Sequence, residues 1–300
     1  MNKNNNRPIW LYPLFQIPGI LMGLFLLLAL LCWLFSWGRP AVAVNIALDL
    51  SGSTYGSSPQ LFNAPNTVMA QEIGAVRSYI EQSSQLKIPN QIQVMGFGGQ
   101  VVPLTSQFLT DRQQLETELT QSLADPNLRS RIGNGTSLDR AIEEGAKALG
   151  SILQHCRELL IVTDGETNVS PAAISQAASQ GVRINAVVVG ANAAQLQAAT
   201  VATKGIYLFG IENNLQAFFT DKLFHHFNSN LRWIALWLGA AWVALMWLLT
   251  LPLDRWIFQG WFSLPMNLSG QLSLGNALFW SVLTPLILWQ FLGLPFFSSC

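Results

Sequence analysis

Between Ile20 and Trp37 the chain carries no charged residue, and its apolar character reaches back to Trp10 with interruptions at Pro13, Pro18 and Gly19. Lipid offers no partner for backbone N–H and C=O groups, so such a run must satisfy them itself, as a helix does. At 1.5 Å of rise per residue, about 20 apolar residues cross the hydrocarbon core, and this run is long enough. A second uncharged run, Trp233 to Leu251, is bracketed by Arg232 and by Asp254 with Arg255, and the tryptophans at its ends fit an interfacial belt. The third, Ala277 to Phe297, contains Pro285, whose freed carbonyl a neighbouring helix can satisfy. Between the last two, Trp256 to Leu274 reads as a connector lying along the interface.

These runs divide the 300 residues into an amino-terminal tail and span (1–38), a soluble domain (39–232), a second span (233–252), a connector (253–275) and a third span (276–300). Composition agrees: 50% of residues are apolar and only 11% charged, against roughly 25% charged in ordinary soluble chains. A cleaved signal peptide is the rival reading of the first run, because Ala41-Val42-Ala43 imitates a small-x-small processing site. Cleavage there would cut into a strand that begins near Val42, which favours an uncleaved anchor. Lys3, Arg7 and the amino terminus precede the first span while Arg39 alone follows it closely, a bias that puts the soluble domain outside the cytoplasm. The formal net charge is +0 with no long basic run, which argues against nucleic acid as a ligand. The three cysteines, Cys32, Cys156 and Cys300, are scattered and suggest neither a disulfide framework nor a zinc site.

Inside the soluble part, short apolar runs alternate with amphipathic segments. Residues 41–50, 92–96, 159–163, 184–189 and 206–209 read as buried strands; residues 68–81, 112–123, 138–149, 172–180, 194–202 and 215–227 show helical spacing. Near-continuous apolar strands in a β/α alternation predict a six-stranded, mostly parallel, doubly wound α/β sheet covered by helices on both faces. Residues 101–104, separated from Phe97 by Gly98-Gly99, supply a short antiparallel edge strand. Ligands of such sheets bind beyond the carboxyl ends of the strands, where the topology reverses.

The loops at those ends are rich in oxygen. Asp49-Leu50-Ser51-Gly52-Ser53 follows the first strand, Gly133-Asn134-Gly135-Thr136-Ser137 opens the helix starting near Leu138, and Thr163-Asp164-Gly165-Glu166 ends the fourth core strand. Alternation puts Asp49 and Ser51 on one side, and Gly52 permits a turn that brings the Ser53 hydroxyl to the same point. A hard dication such as Mg²⁺ takes about six oxygens and keeps several waters. Hydroxyls of Ser51, Ser53 and Thr136, with Asp49 and Asp164 close by, give it an incomplete shell with a position for water or a visiting ligand. The bland reading of Asp49-x-Ser51 alone is an Asx-turn after a strand.

This ordered set resembles the metal-ion-dependent adhesion site of von Willebrand A (vWA) domains, and the likeness runs from about Val42 to Asn228. It implies a Rossmann-like vWA fold, with Ser51, Ser53 and Thr136 as direct metal ligands and Asp49 and Asp164 acting largely through water. The implied cofactor is Mg²⁺, with Mn²⁺ or Ca²⁺ as alternatives, and the implied partner is a protein supplying a Glu or Asp to the metal. The order of anchor, A-type domain and carboxy-terminal spans is similar to bacterial membrane-bound vWA proteins of aerotolerance operons, which implies a MoxR-type ATPase or other membrane subunits as neighbours.

The loop after Ser53, residues 54–67, is longer than such domains need; Tyr55, Leu61 and Phe62 within it either shape partner choice, cover the metal, or form a small apolar plug. Asp139 reads as an acid favoured by a helix amino terminus, Glu166 as a rim residue, and His155 as flanking the fourth core strand. With histidine only at 155, 225 and 226 and no phosphate-binding glycine loop, a non-enzymatic binding module is expected. The alternatives are a structural subunit of a multi-span membrane complex and a metal-dependent hydrolase.

Overall fold

The computed structural model describes residues 9–52, 68–165, 168–190, 193–210 and 215–296. In chain order, after a single 3-10 turn (Ile9–Leu11), these form α1 (Pro13–Phe35), β1 (Val42–Asp49), α2 (Val68–Ser84), β2 (Gln91–Phe97), β3 (Val101–Pro103), α3 (Arg112–Ala124), α4 (Leu128–Ile132) and α5 (Leu138–Gly150). Then come β4 (Cys156–Thr163), α6 (Pro171–Ser179), β5 (Val182–Val189), α7 (Ala194–Ala202) and β6 (Tyr207–Gly210). The carboxy-terminal part holds α8 (Leu215–Ala217), a π-helical stretch (Phe218–Leu223), α9 (Phe224–Phe227), α10 (Leu231–Leu248), α11 (Thr250–Pro252), a second π-helical stretch (Leu253–Trp261) and α12 (Met266–Leu292). The chain divides into two compact units, residues 40–228 and residues 1–39 with 229–300.

In the 40–228 unit the strands lie in the order β3-β2-β1-β4-β5-β6, all parallel except β3, which runs antiparallel to β2. Every residue of β1 is buried, as are seven of the eight in β4 and in β5. That is why these strands read as unbroken apolar runs: both of their faces are covered. One face packs Ala43, Ala47, Leu159, Ile161, Ile184 and Ala186 against Leu138, Ile142 and Ala146 of α5, with Ala173 of α6 and Leu196 of α7 in the same cluster. Starting from central β1, the chain builds outward through β2 to β3, then returns to place β4 on the other side of β1. The reversal therefore falls between β1 and β4, and it opens a crevice at their carboxyl ends.

The strand and helix order agrees with the sequence reading, with differences that have physical causes. β4 begins at Cys156, ahead of its apolar run, because Arg157 and Glu158 are absorbed into the sheet: buried Glu158 pairs with Arg183 and accepts a hydrogen bond from Asn185 Nδ2 at 2.8 Å. The final helix of the domain is not a continuous α-helix but α8, a π-helical stretch and α9. Cys32 is a buried free thiol.

Among its described residues the other unit has three helices long and apolar enough to cross a membrane: Pro13–Phe35, Leu231–Trp261 and Met266–Leu292. Phe25 of α1 stacks on Trp237 of α10 at 5.9 Å. Asn230 Nδ2 donates to the carbonyls of Cys32 (2.6 Å) and Trp37 (3.0 Å), satisfying acceptors that the end of α1 leaves open. Between α10 and α12, Gly239 faces Leu288 so closely that a Cβ there would stand 2.6 Å from its Cδ1, and Trp247 Nε1 donates to Ser281 Oγ at 3.0 Å. The stretch read as an interfacial connector is instead shared between the two helices: Leu231–Trp261 continues through it, and α12 starts at Met266, well before Ala277. Gln259 Nε2 and Ser269 Oγ both donate to Asp254 Oδ1, so the polar groups of this turn satisfy one another.

Candidate metal centre

Asp49 is the last residue of β1 and Thr163 the last of β4, two strands whose register pairs Leu48 with Val162 one residue earlier. Both are completely buried, at the crevice where the topology reverses. The Asp49 carboxylate is oriented from two sides. Its Oδ1 accepts from the Ser51 backbone N–H at 2.9 Å, and its Oδ2 accepts from the Thr163 hydroxyl at 2.6 Å. The first bond is the Asx-turn that Asp and Ser at this spacing suggest; the second comes from a residue 114 positions away and ties β1 to β4 across the crevice.

Burial pushes the Asp49 carboxyl above the ordinary carboxylate range; hydrogen bonds from Ser51 and Thr163 partly offset this, and the nearby charge of Asp164 adds to the rise. Asp164 follows β4 directly and is half-buried. Ser51 is 4% exposed, and its side chain also bonds Asp49. Of the five residues picked out from sequence, Asp49 and Ser51 are hydrogen-bonded to each other, and Asp164 lies near enough for its charge to act on Asp49. Ser53 and Glu166 lie outside the described residues, as do Tyr55, Leu61 and Phe62.

Thr136 is half-buried and sits in the loop before α5. That loop is pressed onto the β2–β3 turn: Ser137 N–H donates to the Gly98 carbonyl (2.8 Å) and Gln100 N–H to the Ile132 carbonyl (2.7 Å). Gly98 and Gly99 make the approach possible, since a Cβ on Gly99 would stand 2.4 Å from the Asn134 carbonyl oxygen and one on Gly98 2.5 Å from Ile132 Cγ2. Gly133 (φ 71°) and Gly135 (φ 102°) take the left-handed backbone that the loop needs and that side chains resist. Thr136 is thereby held at the same end of the sheet as Asp49, and among the described residues no hydrogen bond joins it to Asp49 or Asp164. Asp139, in the first turn of α5, accepts from the Ser170 N–H at 2.7 Å and fastens the segment after β4. His155 precedes β4, at the strand end opposite the crevice.

One acid at this site was missed. Glu72 of α2 is completely buried, and neither of its carboxylate oxygens has a hydrogen-bond partner. Its pKa is raised well above the ordinary value, first by desolvation and then by the charges of Asp49 and Asp164. The signal was present in the sequence: Glu72 stands three residues after Met69 and four before Val76, both fully buried, so it occupies the apolar stripe of its helix.

The donor set suits a hard dication. It is all oxygen, it combines carboxylates with hydroxyls, and it includes a buried acid whose oxygens have no protein donor. Asp49, Ser51, Thr136 and Asp164 are the described residues that would hold one. Among the described residues no group of three or more His, Cys, Asp or Glu side chains could by itself hold a metal ion.

No protein-family model and no curated protein sequence matches the chain. Solved structures do match in fold. The TFIIH p34 N-terminal domain aligns with a TM-score of 0.50 at 16% identity, over 61% of this chain and 98% of that one. The SpRpn10 VWA domain aligns with a TM-score of 0.48 at 12% identity, over 61% and 96%. A conserved hypothetical protein, BatB from Bacteroides thetaiotaomicron, aligns with a TM-score of 0.45 at 19% identity, over 60% and 96%. At these identities the likeness concerns the fold alone.

Proposed function

We propose that this chain, whose 40–228 unit has the von Willebrand A fold, is a membrane-anchored module that captures a partner protein through a divalent cation, with the domain outside the cytoplasm. One observation carries the reading: the buried Asp49 carboxylate, aimed by Ser51 and Thr163 at the topological reversal with Asp164 beside it. A cation bound there supplies a Lewis-acidic position that a Glu or Asp of the partner can occupy. Ser51, Thr136 and Asp164 hold it beside Asp49, and Thr163 fixes the Asp49 rotamer. Exposed apolar side chains around such a contact contribute much of the affinity, while the carboxylate gives specificity.

In the intact membrane, proximity labelling around the wild-type chain is expected to mark a partner that Asp49→Ala, Thr136→Ala and EDTA each reduce to background. The Ala variants keep the fold, as circular dichroism of the purified protein checks. A partner retained in EDTA and by both variants identifies a permanently assembled subunit and overturns the cation reading.

A further inference from the structure

We propose that Glu72 is a third acidic group of the cation site, a positioning residue that accepts a hydrogen bond from a water in the cation's shell. The inference rests on the proposed cation site and extends it to a residue on a separate element, α2. Glu72 is fully buried with both oxygens unpartnered, a situation that costs a folded protein unless something arrives to satisfy the group. It lies close enough to Asp49 and Asp164 to feel both charges, and no hydrogen bond or cationic side chain opposes them. A dication between the acids and the hydroxyls removes all of these costs together. Glu72 is assigned a role through water because a small hard dication readily retains part of its water shell. Acids of this outer kind orient the bound waters and add attraction for the cation.

The experiment uses the full chain in detergent micelles, with Mn²⁺ binding counted by electron paramagnetic resonance and Mg²⁺ binding measured by calorimetry. Glu72→Gln keeps the shape and removes the charge; it is expected to weaken both cations by about 10- to 100-fold, the usual effect of losing such a partner. In EDTA the same variant is expected to melt no lower than wild type, because it removes a buried acid without a partner. Glu72→Met serves as a second variant should Gln fold poorly, with the same expected loss. Wild-type cation affinity in either folded variant overturns the role of Glu72 and leaves the site itself standing. A wild-type chain that binds neither cation overturns both.

Discussion

Glu72 stands among Met69, Ile73 and Val76, all essentially inaccessible to solvent, and it alone of the four can ionise. With the dication removed, the folded protein holds the Glu72 proton to higher pH than the unfolded chain, whose ordinary value is 4.5. Below that value both states are protonated and the group favours neither. As pH rises from there toward the folded-state value, the unfolded chain ionises and gains solvation that the still-protonated buried acid lacks, so stability falls until the folded-state value is passed. Asp49, raised chiefly by burial, acts in the same direction. In EDTA the melting temperature is therefore expected to be higher at pH 5 than at pH 8, with Glu72→Gln flattening the slope. A wild-type melting temperature that climbs over this interval contradicts the burial assigned to Glu72. Tyr79, also on α2 and fully buried, has its hydroxyl accepting from Asn90 Nδ2 at 2.9 Å while its ring meets Phe219, Phe224 and Phe227 edge-on. Tyr79→Phe leaves that packing and strands the Asn90 amide, for an expected loss of about 1–3 kcal/mol in denaturant unfolding.

At the level of elements, two glycines in the β2–β3 turn decide where the Thr136 loop rests. A methyl group on Gly99 meets the Asn134 carbonyl at 2.4 Å, backbone that cannot swing aside. Gly99→Ala is expected to cost about 1–3 kcal/mol through overpacking and to weaken cation binding, because the loop must lift and carry Thr136 with it. Unchanged calorimetric affinity in a folded Gly99→Ala protein separates Thr136 from the site. This dependence also shows what sequence alone could deliver. The places of Asp49, Ser51, Thr136 and Asp164 at strand ends or before a helix were legible, because alternation and the β/α order locate them. Glu72 was legible only as an acid on the apolar stripe of its helix, and helical periodicity marks that stripe without saying what a charge on it does. The start of β4 was hidden for the same kind of reason: Arg157 and Glu158 look like loop until the Ile152 and Gln180 carbonyls accept from Arg157, and Arg183 and Asn185, 25 and 27 residues after Glu158, donate to Glu158. The break of the last domain helix into α and π turns has no sequence signal that we can identify.

At the scale of the whole chain, the apolar helices set where the site can work. Their outward side chains, among them Ile20, Leu24 and Leu27 of α1 and Val282, Leu286 and Trp289 of α12, are exposed in the isolated chain, a surface that lipid covers and water does not. On the proposed membrane anchoring, three long apolar segments, the last two linked through Asp254, Gln259 and Ser269, hold the chain in the bilayer, so it is expected to stay in the pellet after alkaline carbonate extraction. The proposed orientation rests on the cations flanking the first segment, Lys3 and Arg7 before it against Arg39 just after it. Ile88, 66% exposed in the domain and far in sequence from Asp49, Thr136 and Asp164, offers a reporter. Ile88→Cys is expected to react with a membrane-impermeant maleimide on intact spheroplasts of an expressing bacterial host. Labelling that requires lysis reverses the orientation, and a partner recruited by the cation then has to be sought among cytoplasmic proteins. The chemistry at Asp49 is indifferent to that choice, but the supply of carboxylate partners and of free dication is not.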